Sequence, residues 1–213
     1  MAQEGLPQTA IEVCSRAMVM LGLRPMTSFS EVGRDEVIVA SSLYEVVLAE
    51  QMASYPWKFC SGQQLLELDS SDPLDRYESA WHIPTLPTGQ PHQIQTIRVA
   101  DTPIGYEIMG RRIYCNASDT DEVIAHYQYR VEEPYWPPGF TLSMIFKMAY
   151  VLAIAITRKD AQIKGMAMSY DSQLRMAKTR DSQSVTTKRL RQDGFSRFRR
   201  GGGGGQYVRG TTS

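Results

Sequence analysis

Cysteine and histidine are scarce in this chain of 213 residues, with three of each, and the patterns they fail to form exclude several classes of chemistry. Cys14, Cys60 and Cys115 are odd in number, far apart and without a Cys-x-x-Cys pair, which argues against a disulfide scaffold or a zinc site and for a reducing compartment. His82, His92 and His126 lack the i, i+4 spacing of a helical metal pair, so neither a metal nor another cofactor is expected. The glycine tract Gly201–Gly205 has no Lys-Ser or Lys-Thr after it, so it is not a phosphate-cradling loop, and no Gly-x-Ser-x-Gly elbow occurs. Residues Met1 to Pro7 lack the basic start and apolar stretch of a secretory leader, and none is expected. The most apolar run, Leu142 to Ile156, carries Lys147 in its middle and falls short of the roughly 20 residues that span a bilayer. It reads as a buried core helix, and no membrane is expected as a partner.

Net charge is also missing, because 23 basic side chains balance 23 acidic ones. The balance averages two unlike parts. From Lys188 to Ser213 seven Arg or Lys accompany one acid, Asp193, leaving the first 187 residues with an acidic excess of six. Large apolar groups are plentiful, including three Trp, six Phe and eleven Tyr, which excludes a chain that never collapses.

The helical pattern comes in two blocks. Thr9 can cap a helix carrying Ile11, Cys14, Met18 and Leu21 at helical spacing, stopped by Gly22 and Pro25. A second helix is predicted from Asp35 to Ser54. Its stripe of Val37, Ala40, Tyr44, Val47 and Leu48 is widened by Val39, Leu43 and Val46, more than one buried face requires, so it should touch two partners. After Pro137 and Pro138, Leu142, Ile145, Phe146, Ala149, Leu152, Ala153 and Ile156 repeat with helical period. Met144, Met148, Val151 and Ala155 make the other faces apolar too, the mark of a central helix. A fourth helix is predicted from Asp160 to Ser182, with Ile163, Ala167, Tyr170, Leu174 and Ala177 on its buried side and Lys164, Asp171, Arg175 and Lys178 on the other.

Between the blocks lie short β-like runs: Phe59 to Leu68, Ala80 to Ile83, Ile94 to Val99, Ile104 to Met109, Arg112 to Cys115 and Val123 to Tyr129. Gly110 marks the turn of a hairpin within Ile104 to Tyr114, and Pro84, Pro87 and Pro91 mark a loop. The expected fold class is α+β: a discontinuous four-helix bundle with an inserted small antiparallel β-lobe and a flexible C-terminal arm. Its divisions are 1–56 and 137–184 for the bundle, 57–136 for the lobe and 185–213 for the arm.

A constellation for catalysis is hard to assemble. Cys60 or Cys115 with His126 could serve a small hydrolase, but no local pattern supports it. Asp119, Asp121 and Glu122 read as a solvated turn before a strand. The methionines in the predicted helices, Met18, Met20, Met144, Met148, Met166 and Met168, read as core filling, with adaptable contact surfaces as the alternative. No enzyme activity is expected. The arm is the outstanding feature: Lys188, Arg189, Arg191, Arg197, Arg199 and Arg200 interleave with Phe195, Phe198 and Tyr207. Such a segment suits docking onto an acidic protein surface or an adjacent copy. The alternative is a nucleic-acid-binding tail, in which arginines neutralise phosphates and rings stack on bases.

Several phrases, in their order and spacing, resemble the tail tubular protein A family, the head-to-tail adaptors of short-tailed bacteriophages. They are Ala17 to Pro25 with Ser28 after it, Tyr55-Pro56-Trp57-Lys58-Phe59, Trp81-His82-Ile83-Pro84 and Tyr106 to Tyr114. The series continues with His126-Tyr127-Gln128-Tyr129 leading to Pro134, then Pro138-Gly139-Phe140, and closes on Tyr170 to Asp181. The similarity covers residues 7 to 185; the tail beyond is more basic and glycine-rich than the family pattern. The resemblance implies a virion structural protein at the head–tail interface, assembled in the host cytoplasm as a ring of twelve between the portal and a sixfold tail nozzle. It also implies a channel through which double-stranded DNA passes without sequence-specific binding. On that reading the bundle packs ring neighbours, the arm from Lys188 to Tyr207 grips the portal, and the β-lobe meets the nozzle or extends the outer wall. An acidic body would keep the passing genome from sticking.

Overall fold

The computed structural model describes residues 9–70, 76–86, 91, 93–157 and 159–184, and its fold is α+β. Two helices come first, α1 (Ala10–Met20) and α2 (Asp35–Ala53). Seven strands follow: β1 (Ser61–Leu65), β2 (Ser79–His82), β3 (Gln93–Val99), β4 (Thr102–Ile104), β5 (Tyr106–Met109), β6 (Arg112–Cys115) and β7 (Val123–Gln128). The chain then returns to helix with α3 (Pro138–Leu152) and α4 (Asp160–Gln183). The predicted arm, from 185 onward, lies outside the described residues.

Local chemistry accounts for the helix ends. Thr9 caps α1, its Oγ1 accepting the Glu12 amide at 3.3 Å, and the chain leaves the helix through Gly22 at φ +74°, a conformation that glycine adopts without steric cost. Arg34 then fastens the connection to α2, donating to the Arg24 and Pro25 carbonyls and pairing with Glu31 at 2.7 Å and Glu36 at 2.9 Å. Pro138 occupies the first turn of α3, where its missing N–H costs nothing.

Helix α3 packs against α1, α2 and α4. Phe140, Met144, Ile145, Met148, Ala149 and Leu152 are all buried, in one cluster with Val13, Met18, Tyr44, Leu48 and Trp57. It starts four residues earlier than the apolar run suggests and continues into a π-helical turn, Ala153–Thr157. The helical segment Pro138–Thr157 therefore reaches 20 residues with a mean hydropathy of 1.8, long and apolar enough to cross a membrane by length and composition. In the fold half of it is buried, and Lys147 is neutralised by Glu50 at 2.8 Å while its ammonium lies 4.9 Å from the Tyr170 ring centroid. Gln51 ties three helices together. Its amide donates to Ser143 Oγ at 3.3 Å and accepts from the Tyr170 hydroxyl at 2.7 Å, so a buried polar side chain is satisfied on both sides.

The strands form two antiparallel sheets, one in the order β1-β7-β3-β4 and the other β2-β6-β5. A second buried cluster draws on both, with Ile94, Ile97, Val123, Ala125 and Tyr127 from the first sheet and Trp81, Ile113 and Cys115 from the second. Gly62 faces Tyr127 across the β1–β7 ladder, where a Cβ would come within 3.0 Å of the ring, so the close approach needs glycine.

Two expectations are corrected and one turn was not anticipated. Phe59 to Leu68 is not one strand: Lys58–Cys60 makes a 3-10 turn before β1, and Leu68 only bridges to Trp81. Ile104 to Met109 divides at Gly105, with Ile104 pairing to Ile97 in one sheet and Tyr106 to Cys115 in the other. Residue alternation cannot reveal a change of partner in mid-run. A second two-residue hairpin, β3–β4, turns on Ala100 and Asp101, at φ +43° and +66°, and carries no glycine to announce it. Left-handed geometry costs a residue with a Cβ about 1–2 kcal/mol. Ala100→Gly is therefore expected to stabilise the protein by about 0.5–1 kcal/mol, after allowing for the greater chain entropy of glycine, read as a higher urea midpoint at unchanged slope.

Candidate docking surface

Lys188, Arg189, Arg191, Phe195, Arg197, Phe198, Arg199, Arg200 and Tyr207 all lie outside the described residues, whereas the place from which they depart is well defined. Helix α4 ends at Gln183, and Ser184 caps it with its amide on the Asp181 carbonyl at 3.1 Å. Ser184 also lines a groove of about 490 Å³. The floor is aromatic. Trp57 meets Phe140 edge-on at 5.1 Å and 81°, Trp136 meets Phe140 at 5.1 Å and 84°, and Phe59 lies 4.8 Å from Phe140. Pro137 and Pro138 form one wall and Ala177 of α4 the other. Gly139 faces Ala177 across the helix contact, where a Cβ would sit in ordinary van der Waals contact with the Ala177 backbone at 3.5 Å.

Charge is confined to the rim. Both carboxylate oxygens of Asp181 accept the Lys58 amide, at 3.2 and 3.1 Å, while partial burial raises the Asp181 pKa above the ordinary aspartate value. Arg180 lines the same groove and has no ion-pair partner among the described residues. Sequence reading located the phrases Tyr55 to Phe59 and Pro138-Gly139-Phe140 but not their union. Their density in proline and aromatic residues was the available signal.

Apolar side chains are also exposed on α2 and α4. Ile38 is 58% exposed and Val46 66%, on the face that also carries Ser41, Ser42 and Glu45, so the predicted widening of the α2 stripe is only partly absorbed. Val39 and Leu43 pack against the helical core, and Val46 points outward. On α4, Met168 is 74% exposed and Met176 41%, while Met18, Met144 and Met148 are buried. Core filling therefore accounts for some of the helical methionines and surface exposure for others.

A second cavity, of about 520 Å³, opens beside the sheets between Gln64 to Glu67 and His82 to Thr85. At its edge Arg112 Nε lies 2.6 Å from Asp69, a carboxylate only 6% exposed, and His82 Nδ1 lies 3.8 Å from the same oxygen. His82 and Arg112 are cross-strand partners on β2 and β6, so the sheet register assembles this cluster. Sequence reading did not single out Asp69.

The thiols do not meet a histidine base among the described residues. Cys60 donates to the Trp57 carbonyl at 3.6 Å and accepts from the Gln128 amide at 3.7 Å, and Cys115 lies in the core between the sheets. His126 on β7 alternates with Ala125 and Tyr127, which face that core, and so projects to the opposite face. Burial pushes the Cys14 and Cys60 thiols up to about 12 and raises Cys115 as well. Asp121 accepts the Ser118 amide at 2.8 Å in the turn before β7, as a turn aspartate does. No cluster of three or more potential metal ligands occurs among the described residues. Comparison with protein-family models gives no match, and comparison with curated proteins gives none either.

Two measurements follow from this geometry. Native protein at neutral pH should release no thiolate to Ellman's reagent over minutes, and all three cysteines should react after unfolding; rapid reaction of a native thiol would contradict the burial described. Phe140→Ala, which removes the ring shared by both tryptophan contacts, should cost about 3–5 kcal/mol in urea unfolding and should shift the tryptophan emission of the native state.

Proposed function

We propose that this protein is a structural head–tail adaptor: a discontinuous four-helix bundle with an inserted β-lobe that assembles into a ring, with twelve copies the expected number. The ring sits between a portal and a tail nozzle. The observation that carries the proposal is the segregation of charge, a basic excess of six from Lys188 onward against an acidic excess of six before it, on a fold whose arm leaves from one defined end at Ser184. An acidic ring wall repels a passing duplex and so keeps it sliding, whereas a basic aromatic arm suits a protein neighbour.

Ring assembly is supported by α2. Its apolar stripe is wider than one buried face needs, and Ile38 and Val46 face outward in the single chain among Ser41, Ser42 and Glu45. Neighbouring copies would cover such a face, and twelvefold repetition turns a weak arm contact into a firm one. The family resemblance supports the same reading through phrases that meet at packing junctions, above all Trp57 with Phe140. The alternative, a nucleic-acid-binding protein, is favoured by the arginines of the tail and opposed by the acidic body.

The test is deletion of residues 185–213. The shortened protein should still form rings visible by negative-stain electron microscopy and should bind purified portal at least about tenfold more weakly. It should not retard DNA at moderate salt. Undiminished portal binding would overturn the arm's role. Salt-dependent DNA binding by the full chain, lost on deletion, would transfer the assignment to the alternative.

A further inference from the structure

The tail carries one acid, Asp193, and it stands two residues before Phe195 in the order Asp193-Gly194-Phe195-Ser196-Arg197-Phe198. The groove at the root of the tail presents the complementary order. An aromatic floor made by Trp57, Phe59 and Phe140 lies beside a rim on which Arg180 and Asp181 are adjacent, a cation next to an anion. Its volume of about 490 Å³ is of the size that accepts a few large side chains.

Connectivity favours the tail of the same chain as the occupant. Ser184 is both the last described residue and part of the groove wall, and the eleven residues from there to Phe195 reach up to about 36–40 Å when extended. A segment tethered beside its own site meets it at an effective concentration in the millimolar range. Apolar burial of the two rings then competes with a modest loop-closure entropy, which rises only slowly with length. The charges set the register, because Asp193 can meet Arg180, which like Lys58 lines the groove and has no ion pair among the described residues, and Arg197 can meet the Asp181 carboxylate that already accepts the Lys58 amide.

We infer that the groove lined by Trp57, Phe59, Pro138, Phe140 and Ala177 binds the chain's own 193–198 segment, with Phe195 and Phe198 in the groove and Asp193 against Arg180. The inference does not depend on the adaptor reading. A portal-binding assay and the experiment below can fail independently.

The burial of Cys14, Cys60 and Cys115 makes a thiol placed in the tail separately readable. In the full chain carrying Ser196→Cys, reaction with Ellman's reagent should be about tenfold slower than in the same chain with Phe195→Ser and Phe198→Ser added, as for a site that reacts only when it opens. Both replacements lie outside the described residues, and the urea midpoint of each variant checks that folding is unchanged. Arg180→Glu should accelerate the reaction about threefold, and adding Asp193→Arg should restore the slow rate, which a merely structural role for Arg180 would not produce. Equal rates with and without the phenylalanines would overturn the proposal. Failure of Asp193→Arg to restore would overturn the placement of Asp193 against Arg180. The slow rate should also be independent of protein concentration; slowing as the concentration rises would assign the groove to the tail of another copy and overturn the intrachain form.

Discussion

Burial of the Trp57 indole is the constraint on which the rest of this structure depends. The residue stands where the chain leaves α2 for the first strand, and its ring N–H donates to the Gln51 carbonyl at 3.0 Å. The ring packs edge-on against Phe140 of α3, which also receives Trp136. The chain is thus gathered at two places 79 residues apart in sequence, at the exit to the strands and at the return from them. Gln51 adds the helix-to-helix ties, and Gln128 of β7 donates to the Tyr55 carbonyl at 2.7 Å. A buried aromatic ring stabilises through area and geometry together, and here one cluster joins helical and sheet elements that otherwise have separate cores.

This junction also shapes the surface. Prolines 137 and 138, Gly139 and Ala177 line the junction of α3 and α4, leaving an apolar groove where the basic tail begins. The root of the arm, the packing centre of the helices and the start of β1 are therefore neighbours. Any ligand that draws on the tail acts beside the best-anchored part of the fold. The acidic excess, by contrast, is spread over the body, where Glu31, Glu36, Glu45 and Glu133 are engaged by Arg34 and Arg130. Because such pairs near the surface contribute little individually, the body's charge matters through its summed field more than through any one contact.

Much of the secondary structure was legible because helical periodicity and end signals are local. Thr9 and Gly22 bound α1, and the Asp35 and Asp160 starts were read directly from the chain. The misread elements share one cause. Ile104 to Met109 is a good strand by alternation, but the identity of its partners changes at Gly105; Ala100-Asp101 turns a hairpin without a glycine. Both concern which neighbouring strand a segment pairs with, Ile97 for Ile104 and Cys115 for Tyr106, which alternation along one strand does not record. The same holds for the surfaces: the groove needs Phe59, Phe140 and Ala177 side by side, and the Asp69–Arg112–His82 cluster needs the β2–β6 register.

The sequence by itself determined the α+β class, the positions of the long helices, the separation of an acidic body from a basic tail, and the absence of recognisable catalytic or metal-ligand spacing. All of these follow from local propensity, periodicity and counting. Only the tertiary structure decided that Val46 faces outward, that the three thiols lie buried without a histidine partner among the described residues, and that Ser184 opens onto an aromatic groove with Arg180 and Asp181 on its rim. Those outcomes depend on which faces the helices and sheets bury against each other, a property of packing between residues far apart in the chain.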